Sequence, residues 1–271
     1  MARPKGHRPP AIDPHRAQIV EDVHVEWFEH LAGAPGVEVH SEPDIAWQVT
    51  PGSAWSNCAV RVRLPAEGAK ARLEKILKRY RANGRGAGFW VGPATTPLDV
   101  EILLKSFGLR CRRYFPAMYC DLERELPEVR SKVALQFAPI ENYDMFSASP
   151  HPGVGPATTT IRRLQLAKKS HLALRTPRKS WELAASIEGR MAGVCTLFVG
   201  ERYAGLFDVS VLESFRGQGM GRSLVRYACA FAQERSAKGA ILIAASAAQG
   251  VYRHAGFEEV ASFGFWYTAH P

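Results

Sequence analysis

Apolar and polar positions alternate along this chain in two periods, and the period changes often. From Asp13 the spacing is helical: Val20, Val23, Trp27 and Leu31 share one face. Asp13-Pro14 reads as an N-cap with a first-turn proline, and Gly33-Ala34-Pro35-Gly36 as the stop. Strand-like segments follow at Val37–His40, Ile45–Thr50 and Cys58–Leu64. In the last of these Val60, Val62 and Leu64 alternate with Arg61 and Arg63, which predicts one buried and one wet face. Ala66–Ala82 is again helical, with Ala69, Leu73, Ile76, Leu77 and Tyr80 on one side and Asn83-Gly84 ending it. Gly88–Val91 reads as a short buried strand. Thr96-Pro97 opens a helix with Val100, Leu103, Leu104 and Phe107 inward, and Leu109–Leu122 returns as extended chain.

The charged run Glu123–Lys132, with Pro127 inside it, reads as a linker, and the boundary is set there. Beyond it Val133, Leu135 and Phe137 alternate, Glu141–Ser147 starts a helix, and Ser149–Pro156 is a loop with three prolines. Ala157–Leu174 is helical but weakly amphipathic. Leu183, Ala185 and Ile187 form a strand that turns at Glu188-Gly189-Arg190, and Ala192–Val199 pairs back. Gly200-Glu201-Arg202 turns into a central strand, Tyr203–Val211. A helix follows with Leu224, Val225, Ala228, Phe231 and Ala232 inward and Arg222, Arg226 and Gln233 outward. Ile241–Ile243 and Ala261–Tyr267 complete the strands. The expected class is mixed α/β, divided into a basic tail (1–12), a first domain (13–128) and a second (129–271).

Composition changes this picture little. The chain has 271 residues, 46% hydrophobic and 23% charged, enough for two cores without staples. The five cysteines, Cys58, Cys111, Cys120, Cys195 and Cys229, form no Cys-x-x-Cys pair. That argues against a disulfide framework or a zinc site, expects no metal, and favours a reducing, cytoplasmic setting. Met1–Pro10 is basic and proline-rich without an apolar core, so no secretory signal is read there. No run of about 18 apolar residues predicts a membrane span. The net charge of +9 favours an anionic ligand or partner. A phosphate-bearing coenzyme satisfies it, so nucleic acid is not required.

The chemistry concentrates in Val209–Gly221, VSVLESFRGQGMG. A glycine-rich turn between a strand and a helix presents several backbone amides at a helix N-terminus, a geometry suited to a pyrophosphate. Arg216, Gly219 and Gly221 here resemble the Arg/Gln-x-x-Gly-x-Gly/Ala motif with which the GCN5-related N-acetyltransferase (GNAT) superfamily binds acyl-CoA. The second block, Val251-Tyr252-Arg253-His254-Ala255-Gly256-Phe257, is similar to that family's Tyr-x-x-x-Gly-Phe signature. The resemblance covers the chain from about Val133 onward. It implies a GNAT fold, acetyl-CoA as co-substrate, strand contacts at Val209 and Val211, and a phosphate cradle of Arg216, Gly217, Gln218, Gly219, Met220 and Gly221, with Arg222 at the helix start. The first half resembles a degenerate GNAT-like module, which implies a tandem arrangement with one working site. Its Arg81–Gly86 also fits Arg-x-x-Gly-x-Gly, but it follows a helix and precedes a strand, the wrong order for phosphate binding.

The resemblance gives Tyr252 the role of general acid toward the coenzyme A thiolate. A phenol near pKa 10 is protonated at neutral pH and can donate. Asp208 and Glu182 are the candidate bases, each set against the plainer role of a polar strand residue, and His254 is expected to face solvent. The family often places Asn or Ser seven residues before the tyrosine; here that position is Ala245, with Ser246 one place on. The basic run Arg162, Arg163, Lys168, Lys169, Arg175, Arg178 and Lys179 is expected to be a solvated face, with an anionic-substrate platform as the sharper alternative. The implied activity is N-acetyl or short N-acyl transfer to the amine of a small molecule or peptide. The alternatives are a non-catalytic acyl-CoA-binding module and an antibiotic-modifying acetyltransferase.

Overall fold

The computed structural model describes residues 9–50, 56–84, 86–128, 136–139 and 167–268. The expected strand positions Val133 and Leu135, the helix start Glu141–Ser147, the proline loop Ser149–Pro156 and the front of the helix Ala157–Leu174 lie outside them, as do Arg162 and Arg163.

The elements in chain order are α1 (Pro14–Leu31), β1 (Glu38–Ser41), β2 (Ala46–Val49), β3 (Cys58–Val60), α2 (Ala69–Ala82), β4 (Gly88–Val91), α3 (Val100–Ser106), β5 (Leu109–Asp121) and β6 (Gln136–Pro139). Then come α4 (167–173), β7 (Ser180–Ile187), β8 (Arg190–Val199), β9 (Tyr203–Val211), α5 (Met220–Gln233), β10 (Gly239–Ile243), α6 (Gln249–His254) and β11 (Glu258–Thr268). The strands form one sheet in the order β1-β2-β3-β4-β11-β5-β10-β9-β8-β7-β6. The sheet crosses the 128/129 boundary without a break. The last strand, β11, lies between β4 and β5, and β5 lies between β11 and β10.

Helices cover both faces. On one, α5 and α6 pack Leu224, Val225, Ala228, Ala232 and Tyr252 against Leu183, Cys195, Leu206 and Leu242. On the other, α1 crosses the second half of the chain, where Val20, Val23 and Phe28 meet Phe198, Ile241 and Val260. Each such side chain is at most 3% exposed. At about 1.5–3 kcal/mol for fully burying each, this contact alone ties the halves firmly together. A third cluster, under α2 and α3, joins Leu73, Ile76 and Tyr80 to Phe89 and Leu104.

Two local expectations need correction. The alternation from Cys58 to Leu64 was read as one strand, but β3 stops at Val60 because Arg61 adopts φ +48. That kink sends Val60 into the α1 core and Val62 and Leu64 into the α2 core, so all three are buried but not on one face. Lys168, Lys169, Arg175, Arg178 and Lys179, the described part of the basic run before Trp181, are half-buried and do not form a solvated face. Arg175 donates Nη1 to the His30 carbonyl at 2.5 Å and Nη2 to that of Ala32, closing the C-terminal end of α1. Arg178 Nε donates to Ser180 O at 3.0 Å.

His30 sits in this junction, its Nε2 3.0 Å from Ser180 Oγ. Burial, then the charges of Arg175 and Lys179, hold its pKa down from 6.5 to about 4. The unfolded chain takes up that proton below about pH 6.5 while the folded chain waits until about pH 4, so this contribution is complete above 6.5 and drains away across that window. Urea midpoints at about pH 7 and pH 5 should show a drop that His30→Gln makes smaller.

No helix among the described residues is long and apolar enough to cross a membrane. All five cysteines are free, and no group of three or more metal-capable side chains occurs among the described residues.

Candidate active site

The sheet opens at its centre. β9 and β10 run parallel but pair only from Tyr203–Gly205 to Gly239–Ile241. Beyond that, β9 continues to Val211 on β8 alone and β10 continues to Ile243 on β5 alone. The parted edges, Leu206–Val211 and Leu242–Ile243, bound a wedge whose backbone groups no strand ladder uses. β9 also bulges here: Asp208 and Val209 together oppose the single residue Cys195, and Asp208 takes φ +52. A bulge bends its strand and re-aims the peptides beside it. Val209 and Val211, the expected strand contacts, line this stretch and are half-buried.

The wedge runs out into the glycine loop. After Val211 a 3₁₀ turn, Glu213–Phe215, leads to Arg216 and the start of α5. Arg216 and Gly217 are exposed, and Gln218 and Gly219 half-buried, so the loop lies open to solvent. Gly217 and Gly219 hold φ +75 and +86, which a side chain would strain. Gly221 is under no such constraint: a Cβ there would meet ordinary van der Waals contacts, 3.4 Å from Val251 Cγ1 and 3.8 Å from Val211 Cγ2.

Among the described residues, the amides from Gly217 to Arg222 donate to no carbonyl; Ser223, bonded to Gly219 O at 3.1 Å, is the first in the helix to do so. A run of free amides at a helix N-terminus is an anion cradle, and the helix dipole adds about 0.3–1 kcal/mol for a well-placed charge. Arg222 is half-buried and forms no ion pair among the described residues. Arg216 instead folds back, its Nε donating to Val211 O at 3.1 Å, and so braces the turn. Gln218 Nε2 reaches Ser214 O at 3.5 Å, and Met220 is buried in the core.

Tyr252 projects from α6 into the same core beside the wedge, 8% exposed, with its ring edge-on to Phe257. Burial, and then the nearby Cys195 thiol, push its pKa well above the usual phenol range, so it carries its proton at any physiological pH. His254 is exposed, as expected, with Nδ1 2.5 Å from Gly250 O. Ala245 caps a 3₁₀ turn, Ser246–Ala248, and exposed Ser246 receives Arg113 Nη1 at 3.4 Å from β5. Arg226, read as outward, has a guanidinium whose Nε and Nη1 are buried without a hydrogen-bond partner.

Sequence reasoning named Glu182 and Asp208 as candidate bases; the structure buries Glu182 on β7 and leaves Asp208 exposed at the bulge of β9. Glu182 is 6% exposed and accepts from Thr196 Oγ1 at 2.8 Å, and Lys169 Nζ lies 3.0 Å from the same oxygen. Lys168 and Lys169 belong to this group, which the run of basic residues concealed because a solvated cluster and a buried one look alike in sequence.

No curated protein matches the chain. Residues 180–259 match the model of the acetyltransferase (GNAT) domain. Among solved structures, a GCN5-related N-acetyltransferase from Kribbella flavida is similar at 16% identity and TM-score 0.67, over 93% of this chain and 95% of that one. A tandem GNAT protein from the clavulanic acid biosynthesis pathway, in a form without AcCoA, is similar at 13% identity and TM-score 0.57, over 97% and 98%. A GCN5-related N-acetyltransferase from Sphaerobacter thermophilus is similar at 14% identity and TM-score 0.56, over 96% and 94%. Residues 180–259 are a GNAT acetyltransferase domain, and the chain as a whole has the mixed α/β fold of the GCN5-related N-acetyltransferases.

Proposed function

We propose that the chain is a cytoplasmic N-acyltransferase that takes an acetyl or other short acyl group from acyl-CoA and transfers it to the amine of a small molecule or peptide. One observation carries this reading: the parted edges of β9 and β10 lead directly into the free amides of Gly217–Arg222. A pantetheine chain, which is amide-bearing and extended, suits a half-open sheet; a pyrophosphate suits the amides at its end. Val209 and Val211 supply the strand contacts, Gly217 to Gly221 the cradle, Arg222 a counter-charge, and Arg216 the brace that holds the turn.

Acetyl-CoA, when bound, supplies the activated thioester. Tyr252 then serves as the general acid toward the departing thiolate. Burial, and then the Cys195 thiol, raise its pKa, so the phenol stays protonated until a departing thiolate takes the proton.

The test is thermal stabilisation of the full chain by acetyl-CoA compared with free acetate and with dephospho-CoA. Saturating acetyl-CoA at about 100 times its Kd should stabilise by about 2.7 kcal/mol, a rise of several degrees in Tm. Gly219→Val, which forces a branched side chain into φ +86 at the head of α5, should abolish the shift. Wild-type chain that melts at the same temperature with and without acetyl-CoA would refute the reading.

A further inference from the structure

The wedge also opens toward α1. The register that sets Tyr203–Gly205 against Gly239–Ile241 would, carried on, set Phe207 against Ile243. Both side chains lie on the sheet face that α1 covers. His24 of α1 stands over this parted pair. Its ring meets that of Phe207 edge-on, with centroids 5.4 Å apart, and it lines one cleft together with Ile243. Phe207 leans back over Gly205, toward the paired end of β9; a Cβ there would stand 2.6 Å from its ring.

The cleft measures about 210 Å³, shared with open solvent. Val20, Val60, Trp90 and Phe263 give it apolar walls, and of its lining only Ile243 and Phe263 come from the second half of the chain. Glu21 and Arg61 are its charged members. Glu21 is taken up by Arg63, whose Nη1 donates to it at 3.3 Å. Arg61 Nη2 donates to the Glu42 carbonyl at 3.0 Å, its Nε is buried without a hydrogen-bond partner, and it forms no salt bridge among the described residues. His24 Nδ1 lies 2.7 Å from Val20 O. A carbonyl only accepts, so Nδ1 carries the proton and Nε2 the lone pair. Nε2 has no hydrogen-bond partner among the described residues and is not sealed from solvent. Burial lowers the pKa of the imidazole against the opposing pull of the Val20 bond, so the ring is neutral at physiological pH.

We propose that this cleft is the acceptor site of the transfer reaction, that it takes a small primary monoamine on an apolar or aryl stem, and that His24 Nε2 is the base that receives the amine's proton. This rests on the function proposed above and adds the acceptor class and the base. A pocket for a drug-sized ligand runs to about 300–1,000 Å³, so the cleft suits a small acceptor. Its walls favour a hydrocarbon stem. Arg61 repels a second ammonium and favours the neutral, nucleophilic form of the first.

The step balances without another reagent. The lone pair of the neutral amine attacks the thioester carbonyl carbon and a C–N bond forms. His24 Nε2 takes the excess proton from nitrogen, and the C–S bond breaks. The thiolate takes the proton of Tyr252, which lies on the opposite face of the sheet. Solvent carries the imidazolium proton back to the phenolate, leaving an N-acetyl amide and coenzyme A.

The experiment follows coenzyme A release by the full chain with acetyl-CoA and phenethylamine, spermidine or a tripeptide, with the acetyl-CoA thermal shift measured in parallel. Phenethylamine should give a kcat/KM about tenfold or more above the other two. His24→Asn keeps a donor for Val20 O but lacks Nε2. It should lower kcat with phenethylamine about a hundredfold and keep the thermal shift. Val60→Met, which extends a flexible side chain into the cleft, should raise KM for phenethylamine about tenfold with little change in kcat. A retained thermal shift overturns the inference and leaves the proposed function standing if phenethylamine is turned over no better than spermidine or the tripeptide. The same holds if His24→Asn is as active as the wild type, or if Val60→Met leaves KM unmoved. Absence of the thermal shift in the wild type overturns both.

Discussion

Tyr252→Phe should lower coenzyme A release over a panel of primary amines by about 10²–10³-fold while acetyl-CoA affinity stays within about twofold. The size follows from what the substitution removes. Phenylalanine keeps the ring that packs edge-on against Phe257 in the α5–α6 core, so the fold and the wedge survive. It removes only the hydroxyl, the proton source for the departing thiolate. A loss confined to kcat is the signature of an interaction made in the transition state alone. Thiol release measured with Ellman-type detection, beside a thermal shift with acetyl-CoA, separates the two readouts. If turnover is absent in the wild type and the variant alike while both bind acetyl-CoA, the non-catalytic binding module becomes the better reading. Equal, substantial turnover in both would remove Tyr252 from the mechanism.

Much of this site was readable from the chain because it is local. The strand Tyr203–Val211, the loop and the inward face of α5 follow from contiguous residues, and Leu224, Val225, Ala228, Phe231 and Ala232 are all buried as the spacing predicts. The turn at Glu188-Gly189-Arg190 and the stop at Asn83-Gly84 are equally local, and both appear. What the sequence concealed depends on contacts far apart in the chain. The bulge at Asp208 exists only relative to β8. Lys169 meets Glu182 through the docking of α4 on β7, and no periodicity separates that pair from a solvated one. The break of β3 at Arg61 is a backbone event in a run whose alternation looks unbroken. Largest of all is the placement of β11 and β5, where each inserts beside strands of the opposite half. Nothing in Leu109–Leu122 or Ala261–Tyr267 names its neighbours; both are simply apolar strands.

That placement yields the second large expectation: residues 129–271, though they hold the GNAT motif, should neither melt cooperatively nor respond to acetyl-CoA when made alone. Removing the first half strips β5 from both β10 and β11 and β4 from the other edge of β11. β10, with its inner edge already open at the wedge, would keep only the three pairs that join Tyr203–Gly205 to Gly239–Ile241. The face covered by α1 would expose Phe198, Ile241 and Val260. At about 1.5–3 kcal/mol each, these three side chains alone cost about 4.5–9 kcal/mol, comparable with the roughly 5–15 kcal/mol that holds a typical domain folded. Co-expression of residues 1–128 should restore both cooperative melting and the acetyl-CoA shift, because the missing strand and helix are then supplied in trans. In the intact chain the same architecture predicts one unfolding transition, with amide protection in β4 and β10 lost together on hydrogen exchange. An isolated 129–271 that melts sharply and is stabilised by acetyl-CoA would show that the exchanged strands decorate a self-sufficient second domain and do not complete it.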